Sequence, residues 1–211
     1  SPEGLAPGGV YAMKILIPPS NFSVRFRDAV YAIGFQGPFS LQVNPDAARA
    51  GALWQKFICR AAAERFGDDR SVADILATFV DRRMGSCGEL SEWIEGRNWR
   101  FEVDDNLDAR KRWKPGRDVP AGSPEYCAKR RFMHDLVAMH HEMGAPELAR
   151  QYEWSTCKSQ PNVLKRLDRE NASDPAAGLT AVDFRAGLAL LPFLPMSPGD
   201  FKLILKGIAR G

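Results

Sequence analysis

With 211 residues, 45% of them hydrophobic, the chain is long enough to bury one substantial core without a disulfide scaffold. Cys59, Cys87, Cys127 and Cys157 stand about 28 to 40 residues apart with no C-x-x-C pair, which argues against zinc ribbons and thioredoxin-like sites and favours thiols in a reducing compartment, two long-range disulfides staying open as the alternative. A formal charge of only +3 gives no support to nonspecific polyanion binding by the chain as a whole.

The first nine residues, SPEGLAPGG, are rich in Gly and Pro and read as an arm. The chain does not open on methionine, which points to a removed leader or tag, and a removed leader points in turn to an organelle such as the mitochondrion. VYAMKILIPP, FSVRFRDAVYAIGF and PFSLQV follow as short β-prone runs, punctuated by Pro18-Pro19, Gly34 and Gly37-Pro38. Residues 1–43 are therefore expected either to form a small antiparallel sheet or to lie extended along a partner.

From Asn44 the signal turns helical, and residues 44–95 are predicted to form a first helical hairpin. Asn44-Pro45-Asp46 supplies an N-cap with proline at the first helical position, and Leu53, Phe57, Ile58, Ala61 and Ala62 recur at helical spacing until Gly67. After the GDDR turn, Ser71-Val72-Ala73-Asp74 reads as a capping-box variant opening a helix that carries Ile75, Leu76, Phe79 and Val80. In MGSCGELSEW, Gly85 and Gly88 flank Cys87 just ahead of what reads as a helix.

Residues 96–122 are rich in charge, Pro and Gly and read as a long basic, aromatic loop, a length that usually signals function or a bound partner. Between Arg97 and Arg131, ten basic residues stand against six acids, an excess larger than the charge of the whole chain. RNWRF and ARKRWKPGR interleave these cations with Trp99, Phe101 and Trp113, a mix suited to an acidic protein surface or to phosphates and bases. The nearby Asp104, Asp105 and Asp108 disfavour nucleic acid, and a solvated loop with partly cancelling charges is the plainest alternative.

Residues 123–211 are predicted to be a C-terminal helical region. Ser123-Pro124-Glu125 starts a helix carrying Phe132, Leu136, Val137 and Met143, Gly144 caps it, and Ala145-Pro146-Glu147 opens a partner helix with Leu148 and Tyr152. NVLKRLDREN, TAVDFRAGLALL and SPGDFKLILKGIA read as three short helices, the last two with Thr180-x-x-Asp183 and Ser197-x-x-Asp200 at their starts. AGLALLPFLPM, residues 186–196, is broken by two prolines and reaches only about half a bilayer, so no transmembrane span is predicted. The fold class expected is mainly α: helical hairpins, a short β-prone or extended N-terminal region and a long basic loop.

FMHDLVAMHHEMGAPELARQYEW, residues 132–154, resembles one unit of a tetratricopeptide- or pentatricopeptide-type repeat, families whose stacked units bind peptides or RNA; no second copy recurs at a fixed period of about 34 residues. VLKRLDRENASDPAAGLTAVDFRAGLALL, residues 163–191, resembles a degenerate EF-hand, which implies an incoming helix with Leu164 and Leu167, a loop through Gly178-Leu179 and an exit helix from Asp183-Phe184. Counting back from Asp183 as the last ligand puts Ala172, Asp174 and Ala176 at the first three ligand positions and Ala177 at the glycine position, so no calcium binding is expected.

A thiol nucleophile and a metal site are the two chemistries the Cys and His residues could serve besides packing. A thiol at a helix N-terminus is activated by the helix dipole, so Cys87 with His134, His140 or His141 as base, and Asp135 or Glu142 behind it, is a candidate cysteine hydrolase; no cysteine-protease motif surrounds Cys87, which favours core packing. Cys127, His134 and His141 share one helical stripe, but at intervals of about 10 Å, too far apart for one zinc. No P-loop, dinucleotide fingerprint or G-x-S-x-G is present, and neither a metal nor a cofactor is expected.

The sequence thus points to a noncatalytic accessory subunit of a larger assembly, of the respiratory-chain, ATP synthase or ribosome type, bound to other protein subunits through Arg97, Trp99, Arg100, Arg110, Lys111, Arg112, Trp113, Lys114 and Arg117. The alternatives are a thiol hydrolase using Cys87 with His134 or His141, and an RNA-binding helical-hairpin module.

Overall fold

The computed structural model describes residues 5, 8–15, 45–97, 99–100, 117–118, 122–149, 152–153 and 162–184. These residues are mixed α and β rather than mainly α: two long helices are accompanied by two three-stranded antiparallel sheets. In chain order the elements are β1 (Tyr11–Ile15), α1 (Pro45–Phe66), β2 (Ile75–Asp81), β3 (Ser86–Glu92), β4 (Gly96–Arg97), β5 (Trp99–Arg100), β6 (Arg117–Asp118), α2 (Pro124–Glu142), α3 (Pro146–Ala149), β7 (Val163–Arg166) and β8 (Leu179–Ala181). The chain divides into two compact units, residues 1–59 with 73–94, and residues 60–72 with 95–211.

In the first unit the sheet order is β1-β3-β2, both pairings antiparallel, so β3 is central. The helix predicted from Ser71 onward is therefore strand β2, and the helix expected after Cys87 is strand β3. ILATFVD is rich in β-branched and aromatic residues, and seven residues of it are too few for apolar spacing to separate the two periods. Asp74 caps no helix; its backbone N–H donates to Glu92 Oε1 at 3.2 Å. The β2–β3 hairpin turns through residues 82–85: Asp81 Oδ1 accepts from the N–H groups of Arg83 and Met84, and Gly85 at φ 60° takes the left-handed position.

Helix α1 starts at Pro45 and ends against Gly67, whose φ is 68° and whose N–H donates to Ala63 O at 2.9 Å. Asp46 in its first turn and Arg65 in its last complement the helix dipole. The side it buries carries Ala48, Gln55, Ile58 and Ala62. Gln55 Nε2 donates to Ala73 O at 2.7 Å, fixing the chain that leads into β2.

The second unit is built on α2 and the sheet β4-β7-β8, again antiparallel throughout. Ser123 caps α2 by accepting from Tyr126 N–H at 3.2 Å, with Pro124 next to it. Its C-terminus closes in a Schellman motif: Gly144 sits at φ 73°, Ala145 N–H donates to His140 O and Gly144 N–H to His141 O. Phe132, Met133, Leu136 and Met139 form the buried face, joined in the core by Leu148, Ala149, Tyr152, Val163, Leu179 and Phe184.

The helix expected over NVLKRLDREN is strand β7 followed by a 3-10 turn, Leu167–Arg169, and TAVDF begins as strand β8, so the incoming helix of the EF-hand layout is absent. Arg166 N–H donates to Gly178 O at 2.9 Å, and a Cβ at Gly178, itself at φ 76°, would meet the Arg169 side chain; the loop between the strands folds back on that glycine. The segment expected as a loop, 96–122, contributes β4 to this sheet, while β5 and β6 form a two-residue parallel pair. The rest of that segment, residues 16–44 and residues 185–211 with their predicted helices lie outside the described residues. Of the partner helix predicted after Gly144, the structure describes α3 and Tyr152.

Candidate functional site

Cys87 is 1% exposed on the central strand β3, packed with Ala48 of α1. The chain beyond it continues as β3 and opens no helix, and burial pushes its thiol up from the ordinary value. Gly88 leaves no space for a substrate either, since the Phe79 ring of β2 occupies the place of its missing side chain. Cys59 is held up still further, to about 12, first by burial and then by the carboxylates of Asp74 and Glu92. Both thiols are thus poor nucleophiles at neutral pH.

The histidines belong to the second unit. His134 and His141 are exposed on α2, two turns apart, and the neighbouring Glu142 pairs with Arg65 at 2.9 Å. His140 is fully buried: Nδ1 lies 2.6 Å from Leu136 O and so carries the proton, while Nε2 has no hydrogen-bond partner among the described residues. Its ring stacks near Tyr152 and Phe184, at centroid distances of 5.8 and 6.1 Å, and the Tyr152 hydroxyl donates to Val182 O at 2.8 Å. Burial lowers the His140 pKa, so the neutral ring is the form this core accepts.

Of the basic residues predicted to face a partner, Arg97 turns inward. Its guanidinium bridges Glu125 of α2 and Glu170 beyond the 3-10 turn, through Nη2 and Nε. Burial opposes the charge, but the two carboxylates outweigh it and hold the guanidinium above its usual pKa. Lys129, one turn after Glu125, is completely buried; desolvation and the nearby Arg97 charge push its pKa well down, against the pull of Glu125. Lys165 donates to the carbonyls of Pro175 and Ala177, tying down the loop between β7 and β8. Trp99 and Arg100 pair in parallel with Arg117 and Asp118 as short strands. Arg110, Lys111, Arg112, Trp113 and Lys114 lie outside the described residues.

The surface that sequence reasoning missed is the outer side of α1. Leu53 is 63% exposed, Trp54 44% and Phe57 53%, and the Trp54 and Phe57 rings meet edge to face at 5.8 Å. Leu53 and Phe57 share helical spacing with Ile58 and Ala62, but α1 buries Ala48, Gln55, Ile58 and Ala62 and leaves Leu53 and Phe57 on the outside. Arg49, Lys56 and Arg60 are exposed on the same helix.

Among the described residues no group of three or more His, Cys, Asp or Glu side chains is placed to hold a metal ion, and no helix is long and apolar enough to cross a membrane. Comparison of the chain with models of protein families, with curated proteins and with solved structures finds no match.

Proposed function

We propose that the protein is a noncatalytic accessory subunit, held in a larger protein assembly through the outer side of α1. The observation that carries this reading is the contiguous exposure of Leu53, Trp54 and Phe57 on one helix. Isolated apolar side chains on a surface are ordinary, but a Trp–Phe pair with an adjoining leucine makes a compact patch of the residue types that anchor protein interfaces. A thiol hydrolase is the weaker reading, because burial raises the Cys87 thiol and Phe79 fills the space over Gly88.

Oxidative footprinting of Trp54 tests the proposal. Trp54 in the purified chain is expected to be modified readily, and Trp54 in an extract of the native source to be protected. Equal modification in both settings would count against an occupied surface.

A further inference from the structure

The outer side of α1 carries a charge pattern as well as an apolar one. At about 100° per residue, Lys56, Arg49 and Arg60 fall within an arc of about 40°, and Leu53, Phe57 and Trp54 continue the circuit over about the next 100°. All six side chains are exposed. The helix's acids, Asp46 and Glu64, stand at its two ends, outside the span from Arg49 to Arg60. Among the described residues, Lys56 of these three meets Asp74 at 3.4 Å, in an exposed pair of the kind that contributes little.

We propose that this side of α1 receives an amphipathic helix from a partner protein, with an apolar stripe on Leu53, Trp54 and Phe57 and a row of Asp or Glu side chains opposite Arg49, Lys56 and Arg60. The proposal rests on the reading of α1 as a docking surface and adds the chemistry of what docks there. A helix fits better than an extended peptide because α1 has no unpaired backbone edge for a strand to join. Charge complementarity selects an acidic segment and repels a basic one.

The test is site-specific photo-crosslinking in the native source. The full chain carries a benzoylphenylalanine at position 57, and the crosslinked peptide is identified by mass spectrometry. The expected product is a peptide from another protein with apolar residues at helical spacing beside an acidic row, and its yield falls by about tenfold when Arg49→Glu and Arg60→Glu are combined in a chain whose circular dichroism is unchanged. A crosslinked protein segment without an acidic row, or a yield indifferent to the charge reversals, overturns the acidic-helix proposal while leaving the docking surface standing. Crosslinking to lipid or to a second copy of this chain also overturns it. No crosslink from a folded chain overturns the docking surface itself.

Discussion

Phe79 on β2 lies over Gly88 on β3, the two being direct cross-strand partners, and the aromatic ring takes the volume a side chain at 88 would need. This is aromatic rescue of a strand glycine: the ring restores the packing that the missing side chain gives up. Gly88→Ala is therefore expected to destabilise the first unit by about 1 to 3 kcal/mol in urea unfolding. Combining it with Phe79→Leu should cost less than the sum of the two single changes. Additive losses would show that the ring and the glycine are not coupled.

The thiols should react in the order of their burial. Cys127 is exposed, whereas Cys87 is shut into the core and Cys59 is held at about 12. Peptide mapping after a short iodoacetamide exposure at neutral pH is expected to find Cys127 labelled and Cys59 and Cys87 labelled only after denaturation. Preferential labelling of native Cys87 would revive the nucleophile.

His140 makes stability depend on pH. Its pKa is lowered from 6.5 in the folded chain, so below about pH 6.5 the unfolded chain binds a proton that the folded one resists. The stabilisation is complete above 6.5 and is lost as pH falls toward the lowered folded value. The urea midpoint should drop between about pH 7.5 and about pH 5, and His140→Phe should reduce that drop relative to the parent chain. A midpoint whose pH dependence is the same in both would remove His140 from the account.

The Arg97 bridge is expected to be structural. Arg97→Ala leaves Glu125 and Glu170 without their shared cation in a mostly buried site, a change that costs about 3 kcal/mol. Replacing all three by apolar residues of similar size should cost less, because it removes the desolvated charges together. Equal losses in the single and triple variants would contradict this, and thermal unfolding distinguishes them.

The long helices were legible where the chain states its own ends. Pro45 and Gly67 bound α1, and Ser123 and Gly144 bound α2, because proline at a start, a hydroxyl cap and a left-handed glycine act locally. The strands were not legible. Ser71 and Asp74 spell a capping box, yet Ser71 O accepts from Ala181 N–H at 2.8 Å and Asp74 N–H serves the Glu92 carboxylate, partners that no local pattern announces. Val163–Arg166 likewise became a strand because it pairs with Ala181 through Leu179 and with Arg97, residues distant in sequence. The two glycines around Cys87 were visible, but their meaning depended on a hairpin: one makes its turn and the other accommodates Phe79.

The candidate surface was only half visible. The spacing of Leu53 and Phe57 is legible in the sequence, but periodicity marks a stripe without saying whether the chain itself or another molecule covers it. Arg97 shows the converse: a cation from a basic run was drawn inward by Glu125 and Glu170, acids from other elements.

The most direct test of the docking claim compares the parent chain with the double variant Leu53→Asp, Phe57→Asp, both expressed in the native source and sized under mild conditions. Both side chains are exposed, so the variant is expected to keep its fold, as circular dichroism of the purified chains would confirm. The account predicts that the parent elutes in a larger stoichiometric complex and the variant as the free chain. Recovery of the parent as a free monomer, or of both in the same complex, would contradict it.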